Sequence, residues 1–310
     1  MASTTQGSSI RRNAIIGVAC ALLAAVGFSA KAILVKLAYV ESVDAVTLLA
    51  LRMAFSVPVF LAVAVWTSMN RQAAPLEKRD WLAVLGLGLI GYYLSSFLDF
   101  LGLQFISAGL ERLILFLYPT MVVILSALIS RKAIGRRILV ALALSYAGIA
   151  LVFLHDVGMS RRGILLGAAL VFASTLSYSV YLVGAGHAIA RIGATRFTAY
   201  AMVVASAASL IQFAVTHPLS ASLHLSSRVY ELGLAMALFS TVLPVFLLSA
   251  AIRRIGAGHT SLIGSIGPVA TIYLAHVFLG ETVSLLQITG SSLVLAGVLI
   301  ISLSAGAKGK

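Results

Sequence analysis

The chain has 310 residues, of which 61% are hydrophobic and only 10% are charged, and its mean hydropathy is +1.07. Soluble domains are about 45–50% apolar and about 25% charged, so this composition excludes an ordinary water-soluble protein. The formal net charge of +13 lies in short segments between apolar stretches, which argues against a nucleic-acid partner and favours contact with anionic membrane lipid.

Ten apolar segments are long enough to cross a bilayer, which takes roughly 20 residues of helix. The first is too long for the core of a signal peptide, about 7–15 residues, and we interpret it as a span that is retained. The predicted spans are 14–38, 45–67, 81–104, 108–130, 137–155, 163–187, 196–216, 229–252, 257–279 and 284–304.

The distribution of Lys and Arg predicts the orientation, because cytoplasmic loops carry the excess of these residues. With the N-terminus inside, fifteen of these cations fall on the inner side: Arg11, Arg12, Arg71, Lys78, Arg79, Arg131, Lys132, Arg136, Arg137, Arg191, Arg196, Arg253, Arg254, Lys308 and Lys310. The outer three are Arg161, Arg162 and Arg228. We therefore expect the tails, residues 1–13 and 305–310, to be cytoplasmic and the 156–162 connection to be external.

An internal repeat divides the chain into two halves. Residues 107–119, SAGLERLILFLYP, reappear 149 positions later as residues 256–268, GAGHTSLIGSIGP. Each half, 14–155 and 163–304, contains five spans, and an odd number forces the halves to run in opposite directions across the membrane. The sequence thus predicts an all-α integral membrane protein of ten transmembrane helices, built as two inverted-topology five-helix repeats. This architecture is typical of secondary transporters.

This arrangement resembles the EamA-type members of the drug/metabolite transporter (DMT) superfamily over about residues 14–304. The resemblance is carried by the SAG-x9-P and GAG-x9-P openings of the fourth and ninth spans and by Leu279-Gly280-Glu281 at the end of the ninth. The family often ends the fourth span with Gly-Glu, where this chain has Ser130-Arg131-Lys132. The resemblance implies transport of a small organic solute, within a range that includes amino acids, nucleobases, nucleosides, vitamins and drugs.

Five ionisable residues of the first half are predicted to converge at one depth: Lys31, Arg52, Asp99, Glu111 and Arg112. Each charge costs about 2.5–3.5 kcal/mol at the centre of an inserted helix, so we expect them to pair. One interpretation is a structural network in which the two carboxylates neutralise two of the three cations. The other is a substrate site, because one positive charge is left over for a carboxylate or phosphate. In that case Lys31 or Arg52 is expected to contact the anionic group.

The same charges bear on the energy source of transport. Nearby cations favour the ionised carboxylate, which argues against simple proton coupling through Asp99 or Glu111. His276, late in the ninth span, is an alternative proton carrier, although a lone histidine more often bonds to a neighbouring polar group.

Polar aromatic and small residues predict a cavity wall. Tyr92, Ser96, Tyr178 and Tyr181 recur at helical spacing on the third and sixth spans, and such stripes suit a cavity for a flat or amphipathic solute. Interhelical packing is the alternative for each of them. Small residues at Gly264 and Ser265 predict a second lining segment, and helix kinks are expected at Pro119 and Pro268. Those kinks either bend during transport or are fixed by packing.

The sequence favours a secondary transporter, an exporter or exchanger of an amino acid or a related zwitterion or anion in the bacterial cytoplasmic membrane. Nucleobase, nucleoside or drug-like solutes are alternatives. An intramembrane enzyme would use Asp99, Glu111 or His276 as acid–base groups, but hydrolase, metalloprotease and nucleotide-binding motifs are missing from the sequence. We therefore expect no enzyme, cofactor or metal site, a small-molecule substrate with membrane lipid as partners, and a monomer or homodimer.

Overall fold

A computed structural model describes residues 2–69, 75–131, 135–158, 163–218 and 225–306, and within these ranges the chain is helix joined by short connections. The helices are α1 Ala2–Val40, α2 Ala45–Ser68, α3 Lys78–Leu103, α4 Ala108–Ser130, α5 Arg136–Gly158, α6 Ile164–Ile192, α7 Ala194–Thr216, α8 Ser227–Gly256, α9 His259–Leu279 and α10 Leu285–Gly306. Of the residues discussed above, several lie outside the described side chains: Arg11, Arg71, Lys132, Arg161, Arg162, Lys308 and Lys310.

The bundle has the surface of a protein dissolved in lipid. In the described part of the chain, α1 to α9 are each long and apolar enough to cross a membrane, and α10 contributes a shorter apolar stretch, Leu285–Ile301. Large apolar side chains such as Leu165, Val215 and Leu285 point outward and are more than two-thirds exposed. A water-soluble monomer does not expose apolar surface on this scale, so the chain is an integral membrane protein.

Some helices extend beyond the predicted spans. α1 begins at Ala2 and not near residue 14, and α6 continues to Ile192 and not to residue 187. The predicted spans end where polar residues lower the hydropathy. The helix itself continues beyond that point for as long as its backbone hydrogen bonds are made.

Helix packing confirms the inverted repeat. Three pairs of equivalent helices pack on each other: α5 on α10, α2 on α7 and α4 on α9. The other major contacts between the halves occur as equivalent pairs, in which the helices of the two halves exchange places. The contact of α1 with α8 matches that of α6 with α3, α1 with α9 matches α6 with α4, and α2 with α8 matches α7 with α3. The two five-helix halves are therefore related by a pseudo-two-fold axis, as expected when their membrane orientations are opposite.

Small residues set the α5–α10 contact. A Cβ added at Gly290 would lie 2.5 Å from the Gly148 carbonyl oxygen, and one added at Gly297 would lie 2.5 Å from the Ala141 carbonyl oxygen. Gly148 and Gly297 are equivalent positions in the repeat. The two backbones therefore touch at two related points, where a larger residue would force the helices apart.

Irregular turns recur at matched positions, 149 residues apart. α3 contains a π-helical stretch, Leu89–Leu94, and α8 contains one at Leu238–Val242. In α8 the stretch precedes Pro244, which has no N–H to donate. α4 is interrupted at residues 116–117, between Ala108–Leu115 and Tyr118–Ser130, and α9 at residues 265–266, before Gly267–Leu279. Such interruptions are typical of functional positions in membrane helices.

The ends of α4 and α9 also match in conformation, although their residues differ. Gly280 ends α9 with φ 66°, and the equivalent Arg131 ends α4 with φ 51°, both in the left-handed region. Glycine adopts this region without steric cost, whereas a side chain is penalised there.

Arg131→Gly is therefore expected to stabilise the protein by about 1 kcal/mol, and Gly280→Ala to destabilise it by a similar amount. Unfolding in detergent micelles measures both changes. Arg131→Ala removes the charge but keeps a Cβ, so it should leave stability close to that of the wild type. A gain in Arg131→Ala equal to that in Arg131→Gly would attribute the effect to charge and contradict the backbone explanation.

Candidate functional site

The interruptions of α4 and α9 place helix ends inside the bundle, where these two helices cross. The breaks at 116–117 and 265–266 lie just before Pro119 and Pro268, the positions predicted as kinks. Each proline occupies the first turn of the following segment, where the missing N–H costs no helical hydrogen bond. Broken helices at the centre of an inverted repeat provide polar backbone ends for a solute site.

Lys31 of α1 forms the centre of the charged cluster. Its ammonium group pairs with Asp99 of α3, and its Nζ lies 3.0 Å from Oε1 of Glu111 on α4. Asp99 and Glu111 are buried, whereas 15% of the Lys31 side chain remains exposed. One cation thus joins three helices and neutralises two carboxylates, a different pairing from the one-to-one network considered from the sequence.

The two arginines of the cluster are held by ring contacts. The Arg52 guanidinium lies over the Phe100 ring, 4.8 Å from its centroid, and the residue is 5% exposed. Arg112 lies 6.0 Å from the centroid of the Phe116 ring and is only partly buried. The Nε atoms of both arginines are buried without a hydrogen-bond partner among the described residues.

Buried groups in the cluster are incompletely satisfied. Asp99 Oδ1 and Glu111 Oε2 also lack a hydrogen-bond partner in the described part of the chain. Unpaired buried polar atoms are costly, so each of these atoms calls for a partner such as a water molecule or a ligand. With three cations and two carboxylates in the cluster, a bound anion would balance the charge and supply an acceptor for an arginine N–H, whereas the free carboxylate oxygens need a donor.

A continuous aromatic group lies on one side of the same region. The Tyr92 and Tyr181 hydroxyls are 3.0 Å apart, and their ring centroids are separated by 5.0 Å. Tyr178 stacks on Tyr181 at 5.6 Å and meets Tyr118 edge-on at 5.8 Å. Gly91 makes this possible, because the Tyr181 ring occupies the space that a side chain at position 91 would need.

Ser96, which the sequence predicted to line the cavity together with the tyrosines, does not itself make the contact between α3 and α6; its neighbour Ser95 does. Ser96 is half-buried, while its neighbour Ser95 contacts Ser174 of α6. The Ser174 hydroxyl donates to the Ser95 carbonyl oxygen at 2.7 Å. This bond fixes α3 against α6 one turn from the tyrosines.

On α9, the small residues have different surroundings. A Cβ at Gly264 would meet no atom within 4 Å, so this position faces open space. Ser265 donates to the Leu262 carbonyl oxygen at 2.6 Å and closes the end of the first α9 segment. Gly267 is buried, its carbonyl oxygen accepts a hydrogen bond from Ser29 of α1 at 2.9 Å, and the Arg112 guanidinium lies against it.

His276 lies at the C-terminal end of α9. Its Nδ1 is 2.9 Å from the Glu281 backbone carbonyl oxygen, and the contact is exposed. This is the ordinary role of a histidine bonded to neighbouring backbone.

Two carboxylates hold the start of α4, and sequence reasoning did not assign them this role. Ser107 caps the helix through its own hydroxyl, which accepts from the Leu110 N–H at 3.1 Å. Asp156 at the end of α5 accepts the Ser107 N–H at 3.2 Å, and Glu281 after α9 accepts the Ala108 N–H at 3.1 Å. Negative charge is favourable at a helix N-terminus. The Leu279-Gly280-Glu281 ending was the signal that could have revealed this contact.

An ion pair joins the two halves at the end of the bundle where α3 begins and α6 ends. Arg191 of the second half donates from Nε to Asp80 at 2.8 Å, and its Nη1 lies 2.8 Å from Glu77 Oε1. The bonded guanidinium lowers the pKa of the Glu77 carboxyl below its ordinary value. A cavity of about 190 Å³ opens beside the pair, lined by Pro75, Leu76, Glu77, Asp80, Arg191 and Ile192.

The opposite end of the bundle has a weaker counterpart. Ser226, equivalent to Glu77 in the repeat, donates to Glu41 Oε2 at 2.9 Å. This neutral donor makes a single exposed hydrogen bond where the first end has a bidentate ion pair. In the described part of the chain, no group of His, Cys, Asp and Glu side chains is arranged to hold a metal ion.

Comparison with known proteins agrees with the geometry. The model of the EamA-like transporter family matches residues 15–154 and again residues 165–303. The chain is similar to the uncharacterized transporter YcbK of Bacillus subtilis, with 30% identity and coverage of 90% of each chain. It is also similar to the uncharacterized transporter YyaM of the same organism, with 25% identity over 81% of this chain and 82% of the other.

A protein of known crystal structure shares the fold at 18% sequence identity, with a TM-score of 0.63 and coverage of 97% of this chain and 99% of that chain. The likeness supports the ten-helix architecture alone. The family match spans both repeats, and the relatives at this coverage are transporters. The chain therefore belongs to the EamA-like transporter family.

Proposed function

We propose that the protein is a secondary transporter that carries a small organic anion or zwitterion, such as an amino acid, across the bacterial cytoplasmic membrane by alternating access. It acts as an exporter or exchanger, and both of its termini face the cytoplasm. The observation that carries the proposal is the incompletely satisfied charged cluster around Lys31, placed where the two broken helices cross.

The paired architecture supports alternating access. Because the major contacts between the two halves occur as equivalent pairs, exchanging the two halves' arrangements would open the opposite side of the same central site. The contacts at the two ends would break in turn. The Arg191 ion pair at one end is a stronger contact than its equivalent in the repeat, the Ser226–Glu41 hydrogen bond at the other end.

The distribution of positive charge supports the orientation. Lys78, Arg79 and Arg191 lie together at the end where α3 begins and α6 ends, which is the predicted cytoplasmic side. Trp66 and Trp81, both at least half exposed, lie near the same end, as expected for tryptophan at a membrane interface.

Reconstitution tests the proposal. Proteoliposomes preloaded with an unlabelled solute should accumulate the labelled form by counterflow when the solute is a substrate, in a panel of amino acids, other carboxylates, nucleosides and cationic drugs. We expect uptake above that of empty liposomes for an anionic or zwitterionic member, and no requirement for a pH gradient. Uptake restricted to cationic solutes, or absence of uptake for the whole panel, would contradict the proposal.

A further inference from the structure

We infer that Arg112 binds the carboxylate of the transported solute, and that this solute carries a flat ring as well as the carboxylate. The inference rests on the proposed function and names the substrate class of the same site. It differs from the expectation based on sequence, which assigned the anion to Lys31 or Arg52.

Lys31 is already occupied. Its ammonium group contacts a carboxylate oxygen of Asp99 and one of Glu111, so its charge is matched twice. A third carboxylate at this point would be repelled by Asp99 and Glu111. The ammonium group of Lys31, which already pairs with both, would offer it little additional attraction.

Arg52 is enclosed. It is 5% exposed, lies over the Phe100 ring, and is surrounded by the packed side chains of α2 and α3. A solute that reached this guanidinium would have to displace the core. Arg52 therefore contributes positive potential to the site from behind and does not contact the solute.

Arg112 has the free donors. No hydrogen bond joins its guanidinium to another described residue, its Nε is buried without a partner, and the residue keeps part of its surface open. A guanidinium presents five N–H donors in a planar fork that matches the two oxygens of a carboxylate. The missing acceptor is therefore a bidentate oxyanion.

The position of Arg112 fits a central binding site. Its Nη2 lies 2.7 Å from where a Cβ on Gly267 would be, so the guanidinium reaches the break of α9 from α4. Gly267 is the first residue of the second α9 segment, whose N-terminus carries partial positive charge. A carboxylate at this point would meet the arginine and the helix end together, as at other transporter sites built on broken helices.

The aromatic group indicates the rest of the solute. The Phe116 ring lies beneath the Arg112 guanidinium. The ring centroid of Tyr118 is 6.2 Å from that of Phe116, and Tyr118 in turn contacts Tyr178, so the aromatic rings form a continuous row. Tyr118 and Tyr178 are both partly exposed, and Tyr178 uses one face to stack on Tyr181, so part of each ring remains accessible to a ligand. A solute whose ring stacks on these aromatic side chains while its carboxylate binds Arg112 would use both the aromatic group and the arginine.

The test needs only simple probes and the full-length protein in detergent. Binding of 3-phenylpropionate, its neutral amide 3-phenylpropionamide, and propionate is measured from the rise in thermal stability with ligand concentration. We expect the acid to bind at least about tenfold more tightly than the amide, since it alone offers a charged bidentate acceptor. Propionate should bind more weakly than the ring-bearing acid.

Variants locate the contact. Arg112→Lys keeps the positive charge beside Glu111 but loses the planar fork, and should weaken binding of 3-phenylpropionate about tenfold or more while binding of the amide changes little. Arg254→Gln, which removes an exposed arginine of α8, is the matched control and should bind as the wild type does. If Arg112→Lys does not fold, the acid–amide comparison on the wild type decides.

Equal affinity for acid and amide, unchanged acid binding in Arg112→Lys, or failure of the acid to bind would each overturn the inference. These results are separable from failure of the proposed function. Transport of a panel solute that is unaffected by Arg112→Lys overturns only the role of Arg112. Acid binding that depends on Arg112, without transport of any panel member, supports the site and contradicts the transport proposal.

Discussion

Lys31→Met is expected to destabilise the protein by about 3–5 kcal/mol, because it leaves Asp99 and Glu111 as neighbouring buried carboxylates without the ammonium group between them. Glu111→Gln should cost less, since Lys31 keeps its pairing with Asp99. Reversible unfolding by SDS in mixed micelles measures the free energy of unfolding of each variant.

The triple variant that combines Lys31→Met, Glu111→Gln and Asp99→Asn removes every charge of the triad and should recover most of the lost stability. Double-mutant cycles on pairs of residues then identify which charges interact. Coupling should be large between Lys31 and either carboxylate, and small between Arg52 and Glu111, for which the structure shows no direct contact. Absence of coupling for both Lys31 pairs would show that the ion pairs contribute nothing to the fold.

The architecture was predictable because it depends on features that a sequence displays directly. Ten apolar segments and the SAG-x9-P and GAG-x9-P repeat predict the inverted fold, and helix packing confirms it. The π-helical stretches of α3 and α8 were not predicted. A single extra residue in a helical turn leaves hydropathy unchanged, and only Gly91, which makes room for the Tyr181 ring, marks the site of the first stretch.

The charged cluster was predictable in its membership and not in its pairing. Depth along each helix brings Lys31, Asp99 and Glu111 to one level, but rotation about the helix axis decides which side chains meet. That rotation is set by contacts such as Ser29 with Gly267, which no local pattern reveals. The same reasoning explains why we assign the proposed anion contact to Arg112 and not to Lys31.

Contacts between the ends of helices were the least predictable. The sequence indicated only that Arg191 is one of the positive charges on the cytoplasmic side. In the structure it joins the two halves through Glu77 and Asp80. Arg191 is separated from Glu77 and Asp80 by more than a hundred positions in the chain. Only the packing of α3 on α6 brings them together.

Gly264→Leu is expected to abolish transport while leaving the protein folded. A Cβ at this position would meet no atom within 4 Å, so a leucine would extend into open space beside the break of α9 without displacing a neighbour. Ser265→Leu should also impair transport, but it additionally removes the hydroxyl that caps the Leu262 carbonyl oxygen and is expected to lower stability. Counterflow in proteoliposomes and thermal unfolding separate the two effects.

Two other glycines serve as controls for Gly264→Leu. Gly186 on α6 also has no atom within 4 Å of an added Cβ but is exposed, so Gly186→Leu should fold and transport normally. Gly267→Leu would collide with the Arg112 guanidinium, so it should lose stability as well as transport. Normal transport by Gly264→Leu would mean that the open space beside α9 belongs to lipid, and the solute path would then have to lie on the α3 and α6 side of the charged cluster.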